Sequence, residues 1–140
     1  MKKVLMLLLS LLLSSGAFAS QASNDTACDK FAKGQSSLNF CYGISDFEDL
    51  EASEISLCAN TFTSEKVFKR CIDEAATSGI FKNEITACRT STSLDRSAIN
   101  CLYAAAHSIY LTEEDIIDCG ETTNFPNSYS ACLVDRAGDL

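Results

Sequence analysis

Apolar residues recur along this chain with a helical step, and the pattern itself repeats. Ten, thirteen and fourteen residues after Cys28, Cys58, Cys88 and Cys119 stand Leu38, Cys41 and Tyr42; Phe68, Cys71 and Ile72; Ala98, Cys101 and Leu102; and Tyr129, Cys132 and Leu133. Steps of three and one put such residues on one face of a helix, whereas a strand would place neighbours on opposite faces. In the second and third copies the stripe runs a turn further, to Ala75 and Ala105, small residues that let a neighbouring helix come close. Each copy therefore predicts a helix, here called B, with its second cysteine on the buried stripe.

A shorter helix, A, is predicted upstream of each B. Three positions before the first cysteine stand Ile55, Ile85 and Ile116, and four before it Glu54, Glu84 and Asp115. Ser53 and Asn83 are suitable N-caps, and Thr112 with Asp115 three residues later is a capping-box variant. An acid in the first turn also suits the positive end of a helix. The expected A helices lie near Glu54 to Asn60, Asn83 to Thr90 and Glu113 to Gly120. The first copy, with only Ser20 to Ala27 before Cys28, predicts a short one.

Polar breaks separate A from B: Thr61 to Ser64, Ser91 to Ser93 and Glu121 to Asn124. Their side chains compete for backbone hydrogen bonds and so favour turns and caps. Helix B is expected to begin near Thr63 in the second copy. Pro126, the only proline, falls where a first-turn proline costs the helix no bond. Eight residues before each later first cysteine comes another apolar residue, Leu50, Ile80 or Leu111, placed to plug the seam between adjacent hairpins.

The fold class predicted is all-α: a short array of αα-hairpins with a period near 30 residues, in approximate repeats 20–46, 47–79, 80–110 and 111–140. The first and last repeats look like caps on the stack. In outline such an array resembles the disulfide-bridged αα-repeat proteins that some bacteria secrete, a likeness of architecture that implies no site or function.

The eight cysteines allow about a hundred connectivities. Two are regular. Pairing within repeats gives Cys28–Cys41, Cys58–Cys71, Cys88–Cys101 and Cys119–Cys132, always thirteen apart. Pairing B to the next A, as in Cys71 with Cys88, strands Cys28 and Cys132 at opposite ends. The invariant spacing favours the first scheme. It demands that two points unequally distant from the hairpin loop come within about 7 Å, through a steep crossing or a loop that folds back.

Met1 to Ala19 reads as a secretory signal peptide: Lys2 and Lys3, an apolar run from Val4 to Leu13, and Ala17-Phe18-Ala19 as the cleavage site. The run is shorter than the roughly 20 residues that span a bilayer, so no membrane span is expected after its removal. The expected product is a single domain, residues 20–140, secreted or periplasmic, in a compartment oxidising enough to form disulfides. It carries 9 Lys and Arg against 19 Asp and Glu, a net charge of −10. Such a surface repels phosphate backbones and anionic membranes, which argues against a nucleic-acid partner.

Catalytic chemistry is hard to place. His107 is the only histidine and lies between Tyr103 and Tyr110, at the spacing of a surface or seam residue. No C-x-x-C thiol pair, metal-type cysteine spacing or phosphate loop occurs. The acids Asp46, Glu48, Asp49, Glu51 and Glu54, and Glu113, Glu114, Asp115 and Asp118, suit helix starts rather than a calcium loop. Asn24-Asp25-Thr26 matches the N-glycosylation pattern, read here as chance. No catalytic, cofactor or metal site is expected. The expected function is non-catalytic binding of a protein partner, with Glu65, Lys66, Lys69 and Arg70 as candidate surface residues. The alternative is a small inhibitor or toxin-like effector acting on another protein.

Overall fold

Each stripe becomes a helix, and each pair of stripes a hairpin closed by sulfur. The computed structural model describes residues 15–47, 49–80, 82–123 and 125–138; the first fourteen residues of the predicted leader lie outside these, as do the side chains of residues 15–19. Among the described residues there are eight helices and no strand. The A helices are α1 (Ser15–Phe31), α3 (Ala52–Thr61), α5 (Lys82–Ser91) and α7 (Glu113–Thr122). The B helices are α2 (Gln35–Ile44), α4 (Glu65–Ser78), α6 (Asp95–His107) and α8 (Pro126–Ala137).

Helix starts depart from the sequence reading in three places. Ser53 and Asn83 are not caps but lie inside the first turns of α3 and α5. Glu51 is the N-cap of α3, and its backbone N–H donates to Oε2 of Glu54 at 2.9 Å. A longer acid two residues earlier does the work assigned to serine. The first A helix is not short: α1 runs through the predicted cleavage point, and Ser20–Phe31 alone is as long as any other A helix. Thr112 does cap α7, accepting from the Asp115 N–H at 3.2 Å, and Pro126 opens α8. The αL cap that ends α4 falls on Gly79, φ 67°, where a glycine carries no Cβ penalty.

Disulfides join Cys28–Cys41, Cys58–Cys71, Cys88–Cys101 and Cys119–Cys132, with Cα separations of 5.6 to 5.7 Å. The unequal distances from the loop are absorbed there. Phe62 and Ser64 are both extended, so three linker residues reach about 10 Å at roughly 3.3 Å each. Phe62 is itself buried under the hairpin it turns.

Hairpins stack in order as two layers. The A layer packs α1 on α3, α3 on α5 and α5 on α7; the B layer packs α2 on α4, α4 on α6 and α6 on α8. Leu50, Ile80 and Leu111 are buried in the seams, as are Ile55, Ile85 and Ile116. In the first repeat the corresponding positions are Ser20 and Asp25, neither of them buried. The opposite end is also polar. Residues facing the next hairpin are Ala27, Ser37 and Ile44 in the first repeat and Ala87, Ser97 and Ala104 in the third, all buried; in the fourth they are Asp118, Ser128 and Asp135, all exposed. Both ends present the solvated faces of capping repeats.

Hydrogen bonds fix the register of neighbouring hairpins. The first residue of α4, Glu65, accepts from the Ser37 N–H in α2 at 2.8 Å, and the first residue of α6, Asp95, accepts from Ser64 Oγ at 2.5 Å. An acid opening one B helix thus bonds to the start of the one before it, and in the case of Glu65 it caps a backbone N–H there. Asn24 is 1% exposed, and its Nδ2 donates to the carbonyls of Ser45 and Leu50 at 2.9 and 2.8 Å. The nitrogen a glycan would need is consumed inside the fold.

The A layer is tightest where α7 crosses the end of α5. A Cβ added to Gly120 would lie 2.5 Å from Ser91 Cβ and 2.6 Å from its carbonyl oxygen, so only glycine fits. Gly120→Ala is expected to destabilise by about 3 kcal/mol, the upper part of the overpacking range, because backbone must move. Thermal denaturation monitored by circular dichroism measures it; an unchanged midpoint would show that the two helices have room to part.

Candidate functional site on the second helix layer

Charge is divided unevenly between the layers. The B helices hold five Lys and Arg (Lys66, Lys69, Arg70, Arg96, Arg136) against five Asp and Glu (Glu65, Asp73, Glu74, Asp95, Asp135). The whole −10 of residues 20–140 therefore resides in the A helices and connectors; α7 alone has five acids and no base. Acids of the B layer are mostly engaged inward or sideways: Glu65 and Asp95 at helix starts, Glu74 buried, and Asp73 3.6 Å from Arg70. Lys66 and Arg96 are exposed at equivalent positions of α4 and α6. Lys69 leans back on the first repeat, 3.1 Å from Ser36 Oγ.

Three valleys run between successive B helices, and the side chains twelve and sixteen residues after each first cysteine decide whether they are filled. Phe40 and Ile44 fill the first, Arg70 and Glu74 the second. In the third these positions are Asn100 and Ala104, and the valley between α6 and α8 stays open. A hollow of about 470 Å³ results. Ala104 and Leu133 form its floor, Ile99, Tyr103 and Val134 its walls, and Arg70 one end. Asn100 bridges it beneath, donating to Ser130 Oγ at 2.8 Å. Tyr103 and Val134 are 44% and 51% exposed, large apolar groups left in water beside an apolar pit.

Between the second and third valleys lies a polar cluster. Glu74 is 2% exposed; one oxygen accepts from Arg70 at 2.7 Å, and the other lies 3.2 Å from His107 Nε2. The His107 and Tyr103 rings lie against each other, centroids 4.4 Å apart and planes tilted by 39°, and the Arg70 guanidinium lies 5.1 Å from the Tyr103 ring. Tyr103 is thus held upright by a cation and an imidazole. Burial pushes the Glu74 carboxyl above its usual value, although Arg70 and His107 pull it back. Folded protein then binds this proton more tightly than unfolded chain. The contribution of Glu74 to stability is complete below the ordinary glutamate value of 4.5 and is lost as pH rises through the raised folded value. Glu74→Gln abolishes that loss, so its stability relative to the parent is expected to improve between about pH 4 and about pH 7. Urea midpoints of both proteins at the two pH values provide the check; a constant difference would mean Glu74 titrates normally.

No protein-family model, curated protein or solved structure matches this chain. What the surface can do follows from its own chemistry.

The remaining candidates stay apart. All eight cysteines are bonded and, apart from Cys132, fully buried. Asp46, Asp49, Glu51 and Glu54 lie at the start of α3, with Glu48 outside the described residues, while Glu113, Glu114, Asp115 and Asp118 line α7. Hydrogen bonds from Thr112 hold the Asp115 carboxyl below the usual range, as befits a cap. No group of three or more His, Cys, Asp or Glu among the described residues is arranged to hold a metal. Nor is any described helix long and apolar enough to cross a membrane. Of the candidate surface residues, Arg70 lines the open valley, and Lys66 lies one helical turn before it on α4. Tyr103, Ile99 and Val134 were not singled out from sequence; the signal was there in Asn100 and Ala104, the shortest occupants of their aligned columns among the first three repeats.

Proposed function

We propose that the protein is a non-catalytic interaction scaffold that binds another protein through the outer face of its B layer, in the periplasm or outside the cell. One observation carries this reading. The only apolar valley left unfilled between the described B helices opens on the layer that has no net charge, beside exposed aromatic and aliphatic walls. Pits bordered by aromatic and arginine side chains are where binding energy concentrates in protein interfaces. Four disulfides fit the oxidising compartment and hold the face rigid, which lowers the ordering cost of association.

A photoreactive amino acid placed at Ile99 or Val134, with control positions at Thr86 and Glu114 on the A layer, tests the proposal. Crosslinking in envelope and secreted fractions is expected to give one discrete adduct from the B-layer positions. Adducts confined to the A layer would overturn it. If the captured partner is an enzyme that loses activity when bound, the same face serves the inhibitor reading.

A further inference from the structure

From the same face, and resting on the reading just proposed, we infer that the partner presents an acidic amphipathic segment whose large apolar side chain fills the α6–α8 hollow while its carboxylates meet Lys66 and Arg96. The shape of the hollow states what is missing. In the first two valleys the chain supplies its own filler, Phe40 and then Arg70; the third has Asn100 instead. The occupant therefore contributes a side chain of phenylalanine or leucine size. It enters between Ile99 and Val134 and rests on Ala104 and Leu133, apolar contact throughout.

Polarity follows from the charges bordering the hollow. Arg96 lies one helical turn before Ile99 and Asn100 on α6, and Lys66 one turn before Arg70 on α4, so two exposed cations stand next to residues that line the hollow. The five acids of α7 repel an acidic partner from that part of the A layer. Because the B layer carries none of the −10, a negatively charged segment meets less resistance there than at α7, and attraction at Lys66 and Arg96. A basic segment would be drawn to α7 and its five acids, away from the hollow. α6 has 13 residues, about 20 Å, so three to four turns of a partner helix match the valley. An anionic membrane offers the same charge but no side chain to enter a pit that lies between two helices.

The test uses the intact oxidised protein and three synthetic helical peptides of one length: a leucine stripe with a glutamate face, the same stripe with a lysine face, and the glutamate face with alanine in the stripe. Fluorescence anisotropy is expected to show binding by the first and at least about tenfold weaker binding by the other two. Binding of the first is expected to weaken from about 50 to about 500 mM salt, as screened charges require. Val134→Glu, on an exposed wall, and Lys66→Glu with Arg96→Glu, at the two exposed cations, are each expected to lose at least about tenfold with unchanged circular dichroism. Equal binding of the lysine-faced peptide, indifference to those variants, or binding to anionic vesicles without binding the acidic peptide would overturn the inference. Silence of all three peptides alongside a B-layer crosslink would also overturn it while leaving the scaffold reading intact. Loss of both would remove the scaffold reading as well.

Discussion

Reducing the four disulfides is expected to unfold most of the chain at room temperature. Each bridge closes a loop of about 14 residues, and in the chain-entropy view such a closure stabilises by about 3 kcal/mol. An ordinary domain has about 5 to 15 kcal/mol in total, so four closures amount to most of what holds this one together. Nothing else in the fold is an obvious substitute. Hydrophobic filling is modest: half of the eight residues ten positions and seventeen positions after the first cysteines are alanine or smaller in bulk than leucine, among them Ala75, Ala98 and Ala105. Helical ellipticity should fall severely on addition of a strong thiol, and a reduced, alkylated chain melting cooperatively at the parent's temperature would refute the expectation.

The order of reduction is also determined by structure. Thiolate attack needs access to sulfur, and seven of the eight cysteines are fully buried because a neighbouring repeat covers them. Cys132 is only partly buried, for no fifth hairpin lies against α8 among the described residues. Limited reductant under native conditions should therefore open Cys119–Cys132 first, with alkylation mapped to those two positions before any other. An initial opening of Cys58–Cys71 would show that access comes from local unfolding in the middle of the stack instead.

Sequence revealed the repeat because its constraint is local and recurs from copy to copy. Cysteines thirteen positions apart in all four copies and, in the last three, isoleucine three before the first and an apolar plug eight before it are each dictated by one hairpin and its nearest neighbour, so the structure places Leu50, Ile80 and Leu111 in the seams as spacing implied. Cap residues were less legible. Glu51 caps α3 because its backbone is extended there and Glu54 reaches back to it, and no preference table favours glutamate over Ser53 at such a position. The candidate site was the least legible part. A hollow exists only by comparison between columns, where Asn100 follows Phe40 and Arg70, and Glu74 reads as a surface acid until His107 of the next repeat is brought to 3.2 Å. Charge division between layers was likewise hidden in a net total, since a sum of −10 says nothing of which helices carry it.

Phe68→Ala should be the most damaging single truncation in the core, about 3 to 5 kcal/mol. Among the described residues Phe68 is the largest side chain that is fully buried, on the stripe of α4 beside Cys71. Its column offers no relief: the same position is Leu38 in the repeat before, only partly buried, and Ala98 in the repeat after, too small to lean into a vacated space. The bridge at Cys58–Cys71 pins α4 against α3, so collapse of the cavity is resisted and its full cost is felt. At about 3 to 6 °C per kcal/mol for a chain of this size, the midpoint should drop by about 10 to 25 °C. Leu38→Ala provides the contrast. It removes a side chain that is only partly buried, from an end repeat that has one neighbour rather than two, and in a stack whose stability is summed over nearest-neighbour interfaces it should cost well under half as much. Urea titration of the two variants under oxidising conditions measures both. Equal losses would mean that the hairpins do not act as a stack of separable units, because a defect at the end would then be felt as strongly as one in the middle.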